Sequence, residues 1–286
     1  HHKAKRIVDF IRDLPIDAVN IPEVRDEMRN GTRMITFRPK IPPRRFARLL
    51  RNKMRKNYRT DVEFLINRCV VYTHRENQRK WLESTIKNFA FRSLILVGGE
   101  SSRISYPGPS VIESAKMASS LEVNPLNLGG ITIPTRRKNE PLLDEPYRLL
   151  SKSLSGISFF ISQILLEIGS MKTLFSDYWA LCEKKNIEPC RIFLSFAPVS
   201  GKKDLDFLRW LGVEIPAPVE RFLLQNPEKT LEHSLRLACH LWEDFSEWLT
   251  RKKISIPVGI NVEHVMSYNL EASISLFKEI SSKGGK

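Results

Sequence analysis

The feature that most constrains the fold is a regular alternation of short apolar runs and amphipathic stretches along the 286-residue chain. Each run is rich in β-branched residues, and the residues between runs have apolar side chains at helical spacing, which predicts strands joined by helices. Near-continuous apolar strands that alternate with helices are typical of a parallel sheet covered by helices. The predicted strands are Asp17–Ile21, Phe64–Val71, Ser93–Val97, Leu128–Ile133, Phe159–Leu165, Arg191–Phe196 and Pro257–Val262.

The chain length suits a (β/α)8 TIM barrel, which takes roughly 250 residues, and we expect residues 1–286 to form one such domain. A barrel needs eight strands, but a predicted helix, Lys3–Leu14, comes before the first of the seven. The run Arg33–Arg38 follows Ile21 too closely for the crossover that joins parallel neighbours. We therefore interpret that run as a lid or hairpin, and we expect the barrel's first strand to precede Lys3 and to be absent from these 286 residues.

The predicted helices each have one apolar face. In the helix that follows the second strand, Leu82, Ile86 and Phe89 share a face because they are spaced at three or four residues. Faces of this kind pack against a sheet, which agrees with the barrel prediction. The clearest helices after the second strand are Glu76–Phe89, Met171–Lys185, Thr230–Thr250 and Asn269–Ser281.

The positive charge is concentrated in a basic region at about 25–60. The net charge of the chain is +14, and the segment Arg33–Arg59 holds basic residues without any Asp or Glu. Such a patch suits nucleic acid, an acidic protein or a polyanionic ligand. An apolar stripe at helical spacing, which includes Phe46, Leu50 and Met54, instead favours a surface helix with a solvated basic face. Aromatic residues are not interleaved on the basic side, so nucleic acid is not the expected partner.

The composition argues against several classes of protein. Hydrophobic residues make up 42% of the chain and charged residues 27%, as in folded globular proteins. The richest apolar run, Ile157–Leu166, is shorter than the 18 or so residues of a membrane span and contains polar residues. No secretory signal, metal-ligand spacing or C-x-x-C pair is visible, so we expect a cytoplasmic protein with free thiols and no metal. The cysteines are Cys69, Cys182, Cys190 and Cys239.

Glycine pairs mark two strands. Gly98 and Gly99 come directly after a strand and before Glu100, which predicts a tight turn with a carboxylate at the strand's C-terminal end. Gly129 and Gly130 lie inside a strand, which indicates that another group approaches the backbone closely. The common nucleotide-binding and hydrolase motifs are absent from the sequence, so these pairs do not by themselves identify a function.

Six stretches of the chain, taken in order, resemble methylenetetrahydrofolate reductases, particularly the short single-domain forms of prokaryotes. The resemblance implies a (β/α)8 barrel and an oxidoreductase of one-carbon metabolism and methionine biosynthesis. It implies a flavoprotein in which NADH or NADPH reduces FAD, and the flavin reduces a methylene-folate, or a related pterin, to the methyl form. It also allows a homo-oligomer. The six stretches are Asp17–Pro22, Leu94–Glu100, Leu128–Pro134, Gly156–Gln163, Trp210–Pro216 and Gly259–Glu263.

The resemblance assigns roles to individual residues. Gln163 stands where the family has a glutamine that contacts folate and nicotinamide, and Lys152 stands where it has a lysine that contacts the cofactor. Glu100 replaces the aspartate that faces flavin and folate. The remaining cofactor positions, several of which differ from the family's residues, are Arg68, Gly98, Gly99 and Arg137. Because the differences fall mainly on flavin contacts, a flavin-free reductase is an alternative.

The family's proton donor is a glutamate on the first strand, which we expect to be absent from these 286 residues. Carboxylates that follow other predicted strands can take that role, because barrel active sites lie at the C-terminal ends of the strands. We take Glu100 and Glu23 as the catalytic candidates, and Glu263 as a substrate-binding carboxylate next to His264. A second hypothesis from a different class remains open, namely a non-catalytic barrel that binds a pterin or a protein and docks through its basic helix.

Overall fold

A computed structural model of the protein describes residues 2–27, 36–58, 62–99, 104–121, 126–138, 140 and 143–283. Strands and helices alternate along this part of the chain. The strands are β1 (Ala18–Ile21), β2 (Glu63–Cys69), β3 (Ser93–Val97), β4 (Asn127–Thr132), β5 (Phe159–Ile164), β6 (Arg191–Phe196) and β7 (Val258–Val262). The helices are α1 (His2–Ile11), α2 (Pro43–Tyr58), α3 (Arg75–Lys87), α4 (Val111–Ser119), α5 (Glu145–Ser153), α6 (Gly169–Lys185), α7 (Lys202–Trp210), α8 (Ala217–Leu224), α9 (Thr230–Lys252) and α10 (Leu270–Lys283).

The strands of the described residues follow one another in chain order in a single parallel sheet. Because each strand lies beside the next one in the chain, the winding does not reverse, whereas a doubly wound sheet reverses at a switch point. This topology is that of a (β/α)-barrel-like fold, with seven strands in the described residues where a complete barrel has eight. The fold class predicted from the alternation is therefore confirmed.

All seven predicted strands are present, with bounds that differ from the prediction by at most two residues. The largest difference is at β2, which ends at Cys69 because Val70–Tyr72 form a 3-10 helix. The helix expected before the first strand is also present as α1. The lid or hairpin predicted for Arg33–Arg38 falls in part on residues 33–35, which lie outside the described residues, and residues 36–38 form neither helix nor strand.

The described residues divide into two compact units. The first contains α1–α4, β1–β3 and β4 up to Ile131, together with residues 154–159, and the second contains α5–α10, β5 from Phe160, β6 and β7. In the second unit an apolar cluster that includes Ile164 and Val199 packs against α7 and α8. In the same unit Phe175 and Phe245 join α6 to α9 edge to face, with ring centroids 4.9 Å apart.

The glycine inside β4 is explained by a neighbouring aromatic ring. A Cβ atom at Gly129 would lie 2.4 Å from the ring of Phe159, so the ring covers this part of the strand only because the position has no side chain. In the second unit Gly259 of β7 and Phe193 of β6 repeat this arrangement, also at 2.4 Å. The close approach predicted at Gly129 is confirmed, and the group that approaches is a side chain.

Helix α2 is the basic helix predicted from the charge distribution. It carries basic residues without any acidic one, and it buries the apolar stripe through Ala47, Leu50 and Met54. Burial of such a stripe accounts for the helix, because packing of an apolar face supplies most of the stability of a helix in a protein.

The prediction of a solvated basic face is wrong for two arginines of α2. The Arg44 guanidinium lies 5.1 Å from the ring centre of Trp81 and 4.8 Å from that of Phe89, and it donates to the Trp81 carbonyl. Arg51 lies 4.3 Å from the ring centre of Phe91 and donates to the Phe89 carbonyl at 2.7 Å. These cations face aromatic rings in and after α3, so they join α2 to the neighbouring segment.

The four cysteines are free thiols, and Cys190 is the one that is partly exposed. Within the described residues no group of three or more His, Cys, Asp or Glu side chains is placed to hold a metal ion. None of the helices in that part of the chain combines the length and the apolar character needed to cross a bilayer.

Candidate ligand-binding site

Polar side chains link the three strands of the second unit and lead to Glu263. The Ser195 amide donates to Ser162 Oγ at 2.9 Å, and Ser195 Oγ donates to the Ser162 carbonyl at 2.7 Å. Asn261 Nδ2 donates to Ser195 Oγ at 2.8 Å and to Glu263 Oε1 at 3.3 Å. Because Asn261 and Glu263 are two residues apart in extended chain, they project from the same face. The chain of hydrogen bonds therefore positions the Glu263 carboxyl directly after β7.

The Glu263 carboxyl keeps its proton to a higher pH than an ordinary glutamate. Burial raises its pKa to about 7, although a hydrogen bond with Ser195 opposes this shift. The backbone of Glu263 is also fixed in position, because its amide donates to the Phe196 carbonyl at 2.8 Å. The adjacent His264 is exposed. A carboxyl group that is about half protonated near neutral pH has the properties of a general acid.

Gln163 joins β5 to the turn that follows α7. Its Nε2 donates to the Leu211 carbonyl at 3.2 Å. The side chain also lines a water-sized cavity of about 10 Å³, together with Pro134, Glu167 and Glu214. The residue for which the resemblance predicted a folate contact thus lies beside a small cavity, and within the described residues its side-chain amide donates to the Leu211 carbonyl.

Lys152 belongs to a buried cluster of charges and is only 7% exposed. Its pKa is lowered to about 8, mainly by burial; the Glu145 carboxylate opposes this shift, and the positive charges of Arg148 and Arg136 add to it. The ammonium group lies 5.9 Å from the ring centre of Phe160. The cluster thus combines three cations, Lys152, Arg136 and Arg148, with the fully buried Glu145 carboxylate. This carboxylate pairs with Arg136 at 3.3 Å.

In the first unit Glu23 and Arg68 form a buried ion pair. Glu23 Oε1 accepts from Arg68 Nη1 at 3.2 Å and from Arg25 Nη1 at 3.1 Å, and Oε2 accepts from the Cys69 amide at 2.7 Å. Arg68 Nε donates to Gln78 Oε1 at 3.0 Å. Both oxygens of Glu23 therefore already accept hydrogen bonds from the protein, which fixes the carboxylate between Arg68, Arg25 and the Cys69 amide.

Three of the predicted flavin positions, Arg68, Gly99 and Arg137, contact other groups of the protein. Arg68 donates from all three nitrogens to protein side chains, and a Cβ at Gly99 would lie 2.3 Å from the ring of Tyr106. Arg137 pairs with two aspartates, Asp144 and Asp177, at 2.9 and 2.7 Å. These groups bind their own protein where the family's residues bind the cofactor. Gly98 lies next to Gly99 after β3, and Glu100 lies outside the described residues.

The sequence analysis did not single out Ser195 and Asn261, which hold Glu263. A signal was present, because each is a polar residue within an otherwise apolar strand, and buried polar groups need hydrogen-bond partners. Ser195 is fully buried, and it stands opposite Asn261 in the register of β6 and β7. Polar residues at matching positions of neighbouring strands could have predicted this network.

No protein-family model and no curated protein matches the chain. Among solved structures the chain is similar to an uncharacterized protein from Clostridium thermocellum that binds two copies of 5-methyl-5,6,7,8-tetrahydrofolic acid. The TM-score is 0.73 at 23% identity, over 99% of this chain and 88% of that one. Two fainter similarities are to 7,8-dihydropteroate synthase from Vibrio fischeri, with TM-score 0.41, 10% identity and coverage of 100% and 87%, and to an aldo-keto reductase from Bacillus halodurans, with TM-score 0.44, 12% identity and coverage of 98% and 86%. The first similarity shows that this chain and the Clostridium protein share one fold.

Proposed function

We propose that the protein binds a reduced pterin that carries a one-carbon group and reduces its methylene group to methyl with NADH or NADPH. The observation that carries this proposal is the Glu263 carboxyl, which Asn261 holds after β7 and whose pKa burial raises to about 7. Reduction of a methylene bridge needs an acid that opens the ring before hydride arrives. A positioned acid contributes about 10²–10⁴-fold to such a step.

The reaction balances with the groups named. Glu263 gives a proton to the ring nitrogen N10 of a methylene-tetrahydrofolate, and the bond from that nitrogen to the bridging carbon breaks. The remaining iminium at N5 accepts hydride from C4 of the nicotinamide, which is oxidised to NAD⁺ or NADP⁺. A methyl group results, and Glu263 regains its proton from water. Asn261 orients the carboxyl throughout, because its amide contacts both Ser195 and Glu263.

Two observations support a folate as the carrier. The six stretches that resemble methylenetetrahydrofolate reductases keep the family's order along the chain. The similar Clostridium thermocellum protein is described as binding 5-methyl-tetrahydrofolate, which is the product of the proposed reduction. Gln163 suits the pterin edge chemically, because an amide both donates and accepts without carrying charge.

We propose that hydride passes directly from the nicotinamide to the pterin. This proposal is supported by three of the predicted flavin positions, because Arg68 and Arg137 are paired with protein groups and the ring of Tyr106 covers Gly99. A direct transfer needs only that the two rings be held in contact, since the nicotinamide supplies both electrons.

A second candidate function is a barrel that binds a pterin without turnover and docks through the basic helix α2. The observation that favours it is the engagement of Glu23 in three hydrogen bonds from the protein, because a carboxylate with these partners can serve the fold without taking part in catalysis. Binding alone would still use Gln163 and would not need Glu263 as an acid.

Turnover with defined reactants separates the two functions. The full chain is mixed with methylene-tetrahydrofolate and NADH or NADPH without added flavin, and nicotinamide oxidation is followed together with the mass of the product. We expect equimolar methyl-tetrahydrofolate, and we expect Glu263→Gln to slow turnover by at least about 10²-fold while the exposed Glu228→Gln control does not. Pterin binding without turnover favours the second candidate, and absence of pterin binding contradicts both.

A further inference from the structure

The turn after α7 has a conformation fixed by its own backbone. Gly212 has a positive φ of 88°, its amide donates to the Arg209 carbonyl at 3.0 Å, and the Val213 amide donates to the Leu208 carbonyl at 3.0 Å. These two bonds form a Schellman motif, in which glycine ends the helix in the left-handed region. The chain direction after α7 is therefore determined.

Side chains on both sides of Glu214 pin the segment 211–216 to the second unit. Val213 is buried in the apolar cluster beneath α7 and α8, and Ile215 packs against the same cluster. Gln163 anchors the start of the segment through the Leu211 carbonyl. Because side chains alternate along extended chain, Glu214 points away from that cluster and is exposed.

Glu214 lies where two openings meet. It lines the small cavity beside Gln163, and it also lines an open groove of about 510 Å³ along residues 209–216. A groove of this volume falls in the range of small-molecule sites, which is about 300–1,000 Å³. A carboxylate carried by a backbone segment of fixed conformation, at the edge of such a groove and next to the Gln163 amide, has the form of a recognition element.

The other charged residues that line the cavity and the groove, Glu167 and Arg209, already have partners in the protein. Glu167 accepts from the Ser170 amide at 3.1 Å at the start of α6, and Arg209 pairs with Asp206 at 3.0 Å and with Glu220 at 2.8 Å. Across the described part of the chain, no hydrogen bond or ion pair involves the Glu214 carboxylate. Its two oxygens are thus available to a ligand with paired N–H donors.

We propose that Glu214 is a specificity-determining residue that accepts hydrogen bonds from the N3–H and 2-amino groups of the pterin. This inference rests on the proposed function, because it concerns the same ligand. The two donors of the pterin edge match the two oxygens of a carboxylate, and charge-assisted pairs of this kind are the stronger hydrogen bonds. Gln163 also positions this carboxylate, because it holds the segment that carries Glu214.

The test measures binding of 5-methyl-tetrahydrofolate to the full chain by calorimetry. A second ligand is the analogue in which hydrogen replaces the 2-amino group. We expect Glu214→Gln to weaken binding of the parent ligand by at least about tenfold with an unchanged melting temperature, because the side chain is exposed. The exposed Glu228→Gln variant is the matched control and should bind like the wild type.

The analogue supplies a readout that a purely structural role would not change. The wild type should bind the analogue at least about tenfold more weakly than the parent ligand, whereas Glu214→Gln should bind the two with similar affinity. If the wild type binds 5-methyl-tetrahydrofolate and Glu214→Gln binds it equally well, the inference is overturned and the proposed function stands. If the wild type binds neither ligand, both are overturned.

Discussion

Replacing Glu263 by Gln should change the way the stability of the protein depends on pH. Burial raises the pKa of Glu263 in the folded protein from an ordinary value of 4.5 to about 7. The folded state therefore binds the proton more tightly than the unfolded state does. The stability that this group contributes is full below the unfolded pKa, falls as pH rises from 4.5 towards 7, and is lost above that range.

The size of the effect follows from the shift in pKa. Each unit corresponds to about 1.4 kcal/mol, so the change from 4.5 to about 7 sets an upper limit of about 3 kcal/mol. Glu263 is partly accessible to water, which reduces the cost of its charge, so we expect about 1–3 kcal/mol. Glu263→Gln has no proton to lose and keeps an oxygen that can accept from Asn261, so its stability should not fall in this way.

Urea denaturation of the two proteins between about pH 5 and pH 8 measures this difference. Other titrating groups are common to both chains, so the difference between their free energies of unfolding isolates Glu263. The variant should gain about 1–3 kcal/mol over the wild type as pH rises across this range. Parallel curves would refute the reasoning, because they would show that Glu263 titrates as an ordinary exposed glutamate.

Three further predictions concern residues whose packing is known from the structure, namely Arg44, Gly129 and Lys152. Arg44→Leu should lower the free energy of unfolding by about 1–2 kcal/mol in urea denaturation, because it removes contacts with two aromatic rings, whereas the exposed Arg45→Leu should change it little. Gly129→Ala should cost about 1–3 kcal/mol by the same assay, because its Cβ would meet the Phe159 ring. Burial lowers the pKa of Lys152 to about 8, so wild-type stability should rise relative to Lys152→Met as pH increases from 8 towards 10.5, and a constant difference would contradict this.

The strands could be predicted from the sequence because their signal is local. Each is a short β-branched run between turn residues, and consecutive runs separated by helices leave few topologies for a parallel sheet. The bounds of β3 and β6 match the prediction residue for residue. The end of β2 does not, because the turn into a 3-10 helix at Val70 has no glycine or proline to mark it.

The surroundings of the charged residues could not be predicted from the sequence. Arg44 donates to a carbonyl 37 residues away, and Gln163 donates to one 48 residues away. Lys152 has the position of an exposed lysine on its helix, and its burial is visible only once α5 is packed against β5. Contacts of this range depend on how elements pack, which local patterns do not determine.

The position of Glu263 was predictable, but its chemistry was not. The sequence places it at the end of the last strand, where barrel sites lie. Its pKa depends on burial and on the bond to Asn261, which follows from the register of β6 and β7. The amide in β5 was conspicuous in an apolar run, and the structure explains it through a backbone partner, the Leu211 carbonyl.

The fate of the hydride tests the central claim most directly. The full chain is mixed in ordinary water with methylene-tetrahydrofolate and with NADH or NADPH that carries deuterium at both C4 positions, and the mass of the product is measured. Direct transfer predicts methyl-tetrahydrofolate with one deuterium in its methyl group. A product without deuterium would contradict direct transfer, because a reduced flavin exchanges its hydrogen with water, and absence of any methyl product would contradict the proposed reduction itself.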